Sequence, residues 1–287
     1  MELQIAGIKR SRNYSPNQTT NDALIFLKTA QELIKLGASV NIYAEEDVNI
    51  EELKGATIFS MARGEGSIDK LMRLQESEVI VINPPQSTLN CYRTNMHKIL
   101  VENDIPFPSS IAVNTSSKEQ FSISDLGVKR KIWVKRGDVH AIHREDVTPA
   151  YSDEELNFLL KEYSNRGIRE ALLQEHIEGD VIKFYSVSGT TFFHWYYQNG
   201  NNSYKFSEGR LRDLATAAAD KLGIIVYGGD AIIKSDGTII IIDMNDWPSF
   251  APVRNEASRV IAETVFNHAM EQSYAVETSI TEKKLQG

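Results

Sequence analysis

YGGDAIIKSDGTIIIIDMNDWPSF, residues 227–250, decides how this chain is read. Two apolar stretches flank Ser235, Asp236 and Gly237, residue types that turn a hairpin tightly, so the segment predicts two antiparallel strands. Alternate residues of a strand share a face. Asp243 and Asn245 therefore point the same way, and the short turn brings Asp230 on the partner strand beside them. Asp243 follows four isoleucines. A carboxylate ending so apolar a strand is costly unless a cation or a firm hydrogen-bond network neutralises it. Three oxygen donors suit magnesium, which is commonly held by one or two carboxylates plus water and phosphate oxygens, with manganese a permitted substitute. In isolation the same residues also fit a loop-capping aspartate and a turn asparagine, so the rest of the chain has to decide.

Working outward, the C-terminal side predicts a helix from about Glu256 to Gln272 and a frayed polar tail over 273–287. On the N-terminal side, 210–223 reads as a helix, and 181–189 and 190–198 as strands joined near Gly189. The aromatic run 192–197 (FFHWYY) fills a core on this reading, with an interface as the alternative. Before them stand a strand at 170–177, an amphipathic helix at 153–166 capped by Ser152, and the strand KRKIWVKR at 129–136. The prolines of IPFPSS, residues 105–110, follow a helix from about Asn90 to Asn103 and mark the way into a new lobe.

At the front of the chain, strands at 3–8, 38–44, 56–62 and 78–83 alternate with helices at about 22–36, its apolar positions Leu24, Leu27, Leu33 and Ile34, and 67–76. That alternation predicts a parallel doubly wound sheet whose ligand crevice lies beyond the C-terminal strand ends. Lys9, Arg10, Arg12 and Arg63 fall on that rim, where they would either grip an anionic group or be solvated loop charges. Three parts result: an N-terminal α/β domain at 1–89, a central lobe at 90–170 and a C-terminal lobe with the metal hairpin at 171–287.

The chain has 287 residues, 41% of them hydrophobic and 24% charged, and a formal net charge of −8. No apolar run approaches the roughly 20 residues of a membrane helix, and the first residues lack a secretory pattern, so a cytoplasmic protein without membrane contact is expected. The acidic balance argues against a general nucleic-acid partner and asks an anionic substrate to find a locally basic pocket. Cys91 is the single cysteine and is assigned no role.

Order and spacing along almost the whole chain resemble the ATP-grasp superfamily, whose nucleotide is enclosed by two α+β lobes behind an N-terminal parallel α/β domain. NMHKILVENDIPFP (95–108) resembles the helix and following turn that carry an early ATP-binding lysine, and IWVKR (132–136) the strand carrying the second. The resemblance thus implies Lys98 and Lys135 as nucleotide lysines. LLQEHIEGD (172–180) resembles the hinge bordering adenine and ribose, which implies Gln174, Glu175, His176, Ile177 and Asp180 as nucleotide neighbours. Asp230, Asp243 and Asn245 match the family's metal ligands, so ATP and magnesium are the implied cofactors. The segment RGDVHAIHRED (136–146) departs from the usual glycine-rich loop. Having Gly137 alone, it implies that Arg136, His140, His143 and Arg144 act as side-chain donors to phosphates.

Most superfamily members that this chain resembles, the glutathione synthetase and ribosomal-protein glutamate ligase types among them, are ligases that pass through an acyl phosphate. That implies a carboxylate–amine or carboxylate–thiol ligase acting on a small, anionic substrate. QEHIEGDVIKFYSVSG (174–189) and IIDMN also look somewhat like the inositol polyphosphate kinases of this fold, with Lys183 standing where a ligase more often has arginine. A kinase acting on a hydroxyl is therefore the runner-up, and a non-catalytic nucleotide-binding regulator the third reading. Lys183 and Arg254 are the expected catalytic contacts, with a loop-capping role for Arg254 as its alternative. Superfamily members often pair, so a homodimer is compatible with the sequence.

Overall fold

The computed structural model describes residues 3–15, 18–128, 130–139, 142–198, 200 and 202–285, with 275–285 described by backbone alone. The chain forms two compact units. One comprises Met1–Gln86, Gly189–Phe192 and Trp247–Gly287, the other Ser87–Ser188 and Phe193–Asp246.

The first unit opens with β1 (Gln4–Lys9), α1 (Thr19–Lys35), β2 (Ser39–Ala44), α2 (Ile50–Leu53), β3 (Thr57–Ser60), α3 (Glu65–Glu76) and β4 (Val81–Ile82). Its four strands are parallel in the order β2-β1-β3-β4, as the strand–helix alternation predicts. One sheet face packs a cluster that includes Ile8, Leu53, Ile58, Leu71 and Val81. The apolar phase of α1 differs from expectation. The helix buries Ile25, Phe26, Thr29, Ala30 and Leu33, while Leu24, Leu27 and Ile34 are exposed. Thr29 and Ala30 complete the inward stripe at helical spacing, and a count of large apolar residues passes over both.

The chain leaves this unit through α4 (Pro85–Asn90) and enters α5 (Arg93–Glu102). The second unit holds two antiparallel four-stranded sheets. One, ordered β5-β8-β6-β7, contains β5 (Ser110–Asn114), β6 (Ile132–Arg136), β7 (Val147–Ala150) and β8 (Glu170–Glu175), backed by α6 (Asp153–Asn165). Ser152 caps α6, its hydroxyl accepting the amide of Glu155 at 3.2 Å. The sequence reading missed β5 and β7. Each is short, and β7 contains Pro149, which the strand tolerates because β7 is an edge.

The other sheet, ordered β10-β9-β11-β12, contains β9 (Asp180–Val187), β10 (Phe193–Tyr197), β11 (Val226–Ile233) and β12 (Ile239–Asp246). α7 (Glu208–Leu222) and α5 cover its inner face. Phe193, Trp195 and Tyr197 of the aromatic run pack against that core. The hairpin turn forms as expected, with Gly237 at φ 82° and the Asp236 carboxylate accepting Thr238 N at 2.9 Å.

α8 (Arg254–Leu285) returns to the first unit and packs on α1 and β3. The tail over 273–287 was expected to fray. Helix runs on to Leu285 instead, because no proline or glycine interrupts 273–285 and alanine, glutamate, lysine and leucine favour helix. Among the described residues no helix is long and apolar enough to cross a membrane.

Arg10 ties the first unit together. Its guanidinium pairs with Asp22 at 2.9 Å and donates to the carbonyls of Met61 (3.1 Å) and Trp247 (3.2 Å), with only 4% of the side chain exposed. Removing one partner of a buried ion pair strands the other charge at a cost of about 3–5 kcal/mol. Arg10→Met should lower the unfolding free energy in urea by that amount, whereas Lys9→Met should stay within about 0.5 kcal/mol of wild type.

Candidate functional site

β11 and β12 pair residue for residue from Ile233↔Ile239 to Ala231↔Ile241, and the next pair is Asp230↔Asp243. Ile242 is an extra residue, a β-bulge. Before it Ile239 and Ile241 face the core, and after it Met244 and Asp246 do, so Ile242, Asp243 and Asn245 share the open face. Without the bulge, period-two alternation would send Asp243 into the core behind Ile239 and Ile241. Gly229 lets the strands approach at this point. A Cβ there would lie 2.4 Å from Phe184 Cζ and 2.6 Å from the Asp243 carbonyl oxygen.

The register aligns Tyr196, Lys183, Asp230 and Asp243 as direct neighbours across all four strands. Lys183 Nζ donates to Asp230 Oδ1 at 2.7 Å. Burial works against the Lys183 ammonium, but the carboxylate of Asp230, aided by Asp243, outweighs it and raises the lysine above its ordinary value. Burial first, and then the like charge of Asp243, raise Asp230 above the ordinary carboxylate range despite Lys183. Two neighbouring carboxylates and the Asn245 amide oxygen form a hard-oxygen set. Among the described residues no group of three His, Cys, Asp or Glu side chains could hold a metal; a hard ion such as magnesium at these two carboxylates would take its remaining ligands from water and phosphate oxygens.

Cations from the first sheet of this unit and from α5 meet the row. Lys135, at the end of β6, is 7% exposed and donates to the carbonyl of the bulged Ile242 at 3.3 Å. Burial lowers its pKa to about 8, with Arg93 pushing the same way and Asp243 and Asp230 opposing. Arg93, the first residue of α5, reaches Asp243 Oδ2 at 3.3 Å and the carbonyl of Arg136 at 3.4 Å. A cleft of about 420 Å³ opens beside these groups. Trp133, Val147, Val181, Ile232 and Ile242 give it apolar walls, and Gln174 to Gly179 line one side.

The expected site residues distribute unevenly. Lys135, Gln174, Glu175, His176, Ile177, Asp230 and Asp243 line the cleft. Asn245 stands opposite Gly228, on the face of Asp243. Lys98 does not line it. It is an exposed residue of α5, five positions and about 140° of helical rotation beyond Arg93, and Arg93 is the cation this helix offers to the cleft. A sequence signal for Arg93 existed, since a cation in the first turn opposes the helix dipole and needs another reason to be there. Asp180 is buried outside the lining, its carboxylate accepting Tyr204 N at 2.8 Å.

His143 is exposed and starts a short turn in which Ile142 N and His143 N donate to the buried carboxylate of Asp146. His140 lies outside the described residues. Gly137 serves close packing: its amide donates to the Glu170 carbonyl at 2.8 Å, and a Cβ would meet Thr94 Cγ2 at 2.6 Å. Arg254 belongs to the first unit, where its guanidinium donates to Asn21 Oδ1 at 2.8 Å and the Ser249 carbonyl at 3.4 Å.

The first unit carries its own cleft, of about 440 Å³, beside the C-terminal ends of β1 and β2. Lys9 and Arg12 line it together with Glu46. Of the four rim cations, Arg10 is engaged with Asp22 and Arg63 is buried. Glu45 escaped the sequence reading. Buried at 2% exposure, its carboxylate accepts the amides of Ser11 at 2.7 Å, Arg63 at 2.8 Å and Gly64, pinning two rim loops together.

Because Asp243 raises the Lys135 pKa, Asp243→Asn should move it below about 8 in the metal-free protein. An NMR titration of labelled lysine in EDTA reads the shift directly, and a rise would contradict the charge arrangement.

No protein-family model matches the chain, and no curated protein matches it by sequence. Solved structures do match. The D-alanine–D-alanine ligase of Bacillus anthracis complexed with ATP aligns at a TM-score of 0.69 and 16% identity, covering 95% of this chain and 99% of that one. The D-alanine–D-alanine ligase of Coxiella burnetii aligns at 0.68 and 14%, covering 98% and 100%. A RimK domain ATP-grasp protein of Sphaerobacter thermophilus aligns at 0.68 and 15%, covering 92% and 100%. Identities this low speak to architecture alone, and architecture is what they establish: the chain has the ATP-grasp fold.

Proposed function

We propose that the protein is a Mg-ATP-dependent ligase that activates a small carboxylate as an acyl phosphate and passes the acyl group to an amine or thiol. The observation that carries this reading is the juxtaposition of base-sized apolar walls with Arg93, Lys135, Lys183, Asp230 and Asp243. The likeness to two ligases supports it at the level of fold. In this reading the base sits among Trp133, Val147, Val181, Ile232 and Ile242, beside the strand and hinge residues Gln174 to Ile177. Lys135 and Arg93 hold phosphate oxygens. Asp243, Asn245 and Asp230 hold magnesium, which supplies charge neutralisation at the phosphates.

A substrate carboxylate oxygen attacks the γ-phosphorus, and the bond to the ADP oxygen breaks. An amine or thiol then attacks the acyl carbon, phosphate leaves and the nucleophile loses its proton. No side-chain nucleophile is required, so positioning and electrostatics supply the catalysis. The cleft of the first unit, with Lys9 and Arg12, is the proposed site for an anionic group of the substrate.

The test is ADP and free phosphate measured separately against pools of carboxylates, amino acids, peptides, polyols and inositol phosphates, with hydroxylamine added to trap acyl phosphate. A ligase releases both products only with an acyl donor and a nucleophile present, and yields a hydroxamate. ADP without phosphate, together with a phosphorylated alcohol, would make the protein a kinase, and nucleotide binding with no turnover in any pool would favour a regulator. Asp243→Asn should lower turnover at least 100-fold in protein that circular dichroism shows to be folded, because the lost charge acts on the transition state.

A further inference from the structure

Trp133 of β6 and His176, just beyond β8, meet on the cleft lining. The indole Nε1–H donates to His176 Nδ1 at 3.1 Å, and the rings approach edge-on at 66° with centroids 6.0 Å apart. Since Nδ1 accepts, the proton of the neutral imidazole sits on Nε2, which donates to Glu178 Oε1 at 3.1 Å. Lys131 Nζ stands 4.7 Å from the indole centroid, so a cation covers the ring while the imidazole holds its edge. Trp133 is half-buried and does not belong to the core cluster that Ile132 and Val134 join on the other side of the strand. An indole fixed by a histidine and a lysine, yet left partly open to a 420 Å³ cleft, is poorly explained as core packing.

We propose that His176 is a positioning residue that locks the Trp133 indole as a stacking wall of the nucleotide cleft, and that this pair sets the preference for a purine base. The proposal rests on the nucleotide reading above. Its weight falls on the imidazole side chain, through the indole, rather than on the hinge backbone. An unlocked indole would sample several rotamers and lose part of its stacking, worth about tenfold in affinity.

The test is titration of the magnesium complex of AMP-PNP by calorimetry and by tryptophan fluorescence, with CTP as competitor. Circular dichroism verifies folding. Wild type should show an emission change that Trp133→Phe abolishes although Trp195 and Trp247 remain. His176→Ala should weaken AMP-PNP binding about tenfold and narrow its advantage over CTP. His176→Asn keeps an acceptor for the indole N–H and should restore most of both. An affinity and CTP ratio unchanged in His176→Ala, a full emission change in Trp133→Phe, or no restoration by His176→Asn would each overturn the positioning role alone. Failure of wild type to bind AMP-PNP at all would overturn the nucleotide reading and this proposal with it.

Discussion

One extra residue in one strand governs the second unit. Ile242 shifts the alternation of β12 by one step, and that step keeps Asp243 out of the apolar core and beside Asp230. The same residue exposes its carbonyl to Lys135, so the bulge is also where the two sheets of this unit are joined by a hydrogen bond. The charges then neutralise in pairs, Asp230 with Lys183 and Asp243 with Arg93. An unmatched buried charge in such a place costs about 3–5 kcal/mol, which explains why a cation from β9 and another from α5 meet the two carboxylates. A ligand bearing phosphates and a divalent ion brings both signs of charge and can take over these contacts without leaving either side unpaired.

The first unit handles charge differently. Arg10 and Glu45, which a rim reading would assign to a ligand, are consumed by the fold: one clamps Asp22 and two carbonyls, the other gathers three backbone amides. Lys9 and Arg12 remain on the cleft lining, where Glu46, hydrogen-bonded to Ser11, partly offsets Lys9. Cation count alone therefore overstates how basic this cleft is, and the acidic net charge of the chain is compatible with an anion site formed by only two side chains.

Much of this was legible in the sequence because it rests on local rules. The hairpin follows from its turn residues and the α6 cap from Ser152. Other features depend on tertiary context. Four consecutive isoleucines carry no mark of which one is surplus, so the bulge is invisible until β11 sets the register. The family resemblance implied Lys98, but five positions of helical rotation separate it from Arg93, the residue of α5 that lines the cleft. α1 has apolar residues on both faces, and only packing against the sheet and α8 reveals which one is inward.

The most direct test of the account is labelling with an ATP acyl-phosphate probe, which acylates lysines beside bound phosphates, followed by peptide mapping. Lys135, whose lowered pKa of about 8 also makes it reactive, should be labelled and protected by Mg-ATP, while Lys98 labels no more than other exposed lysines. Nucleotide-protected labelling at Lys98, or an absence of protection at Lys135, would contradict it.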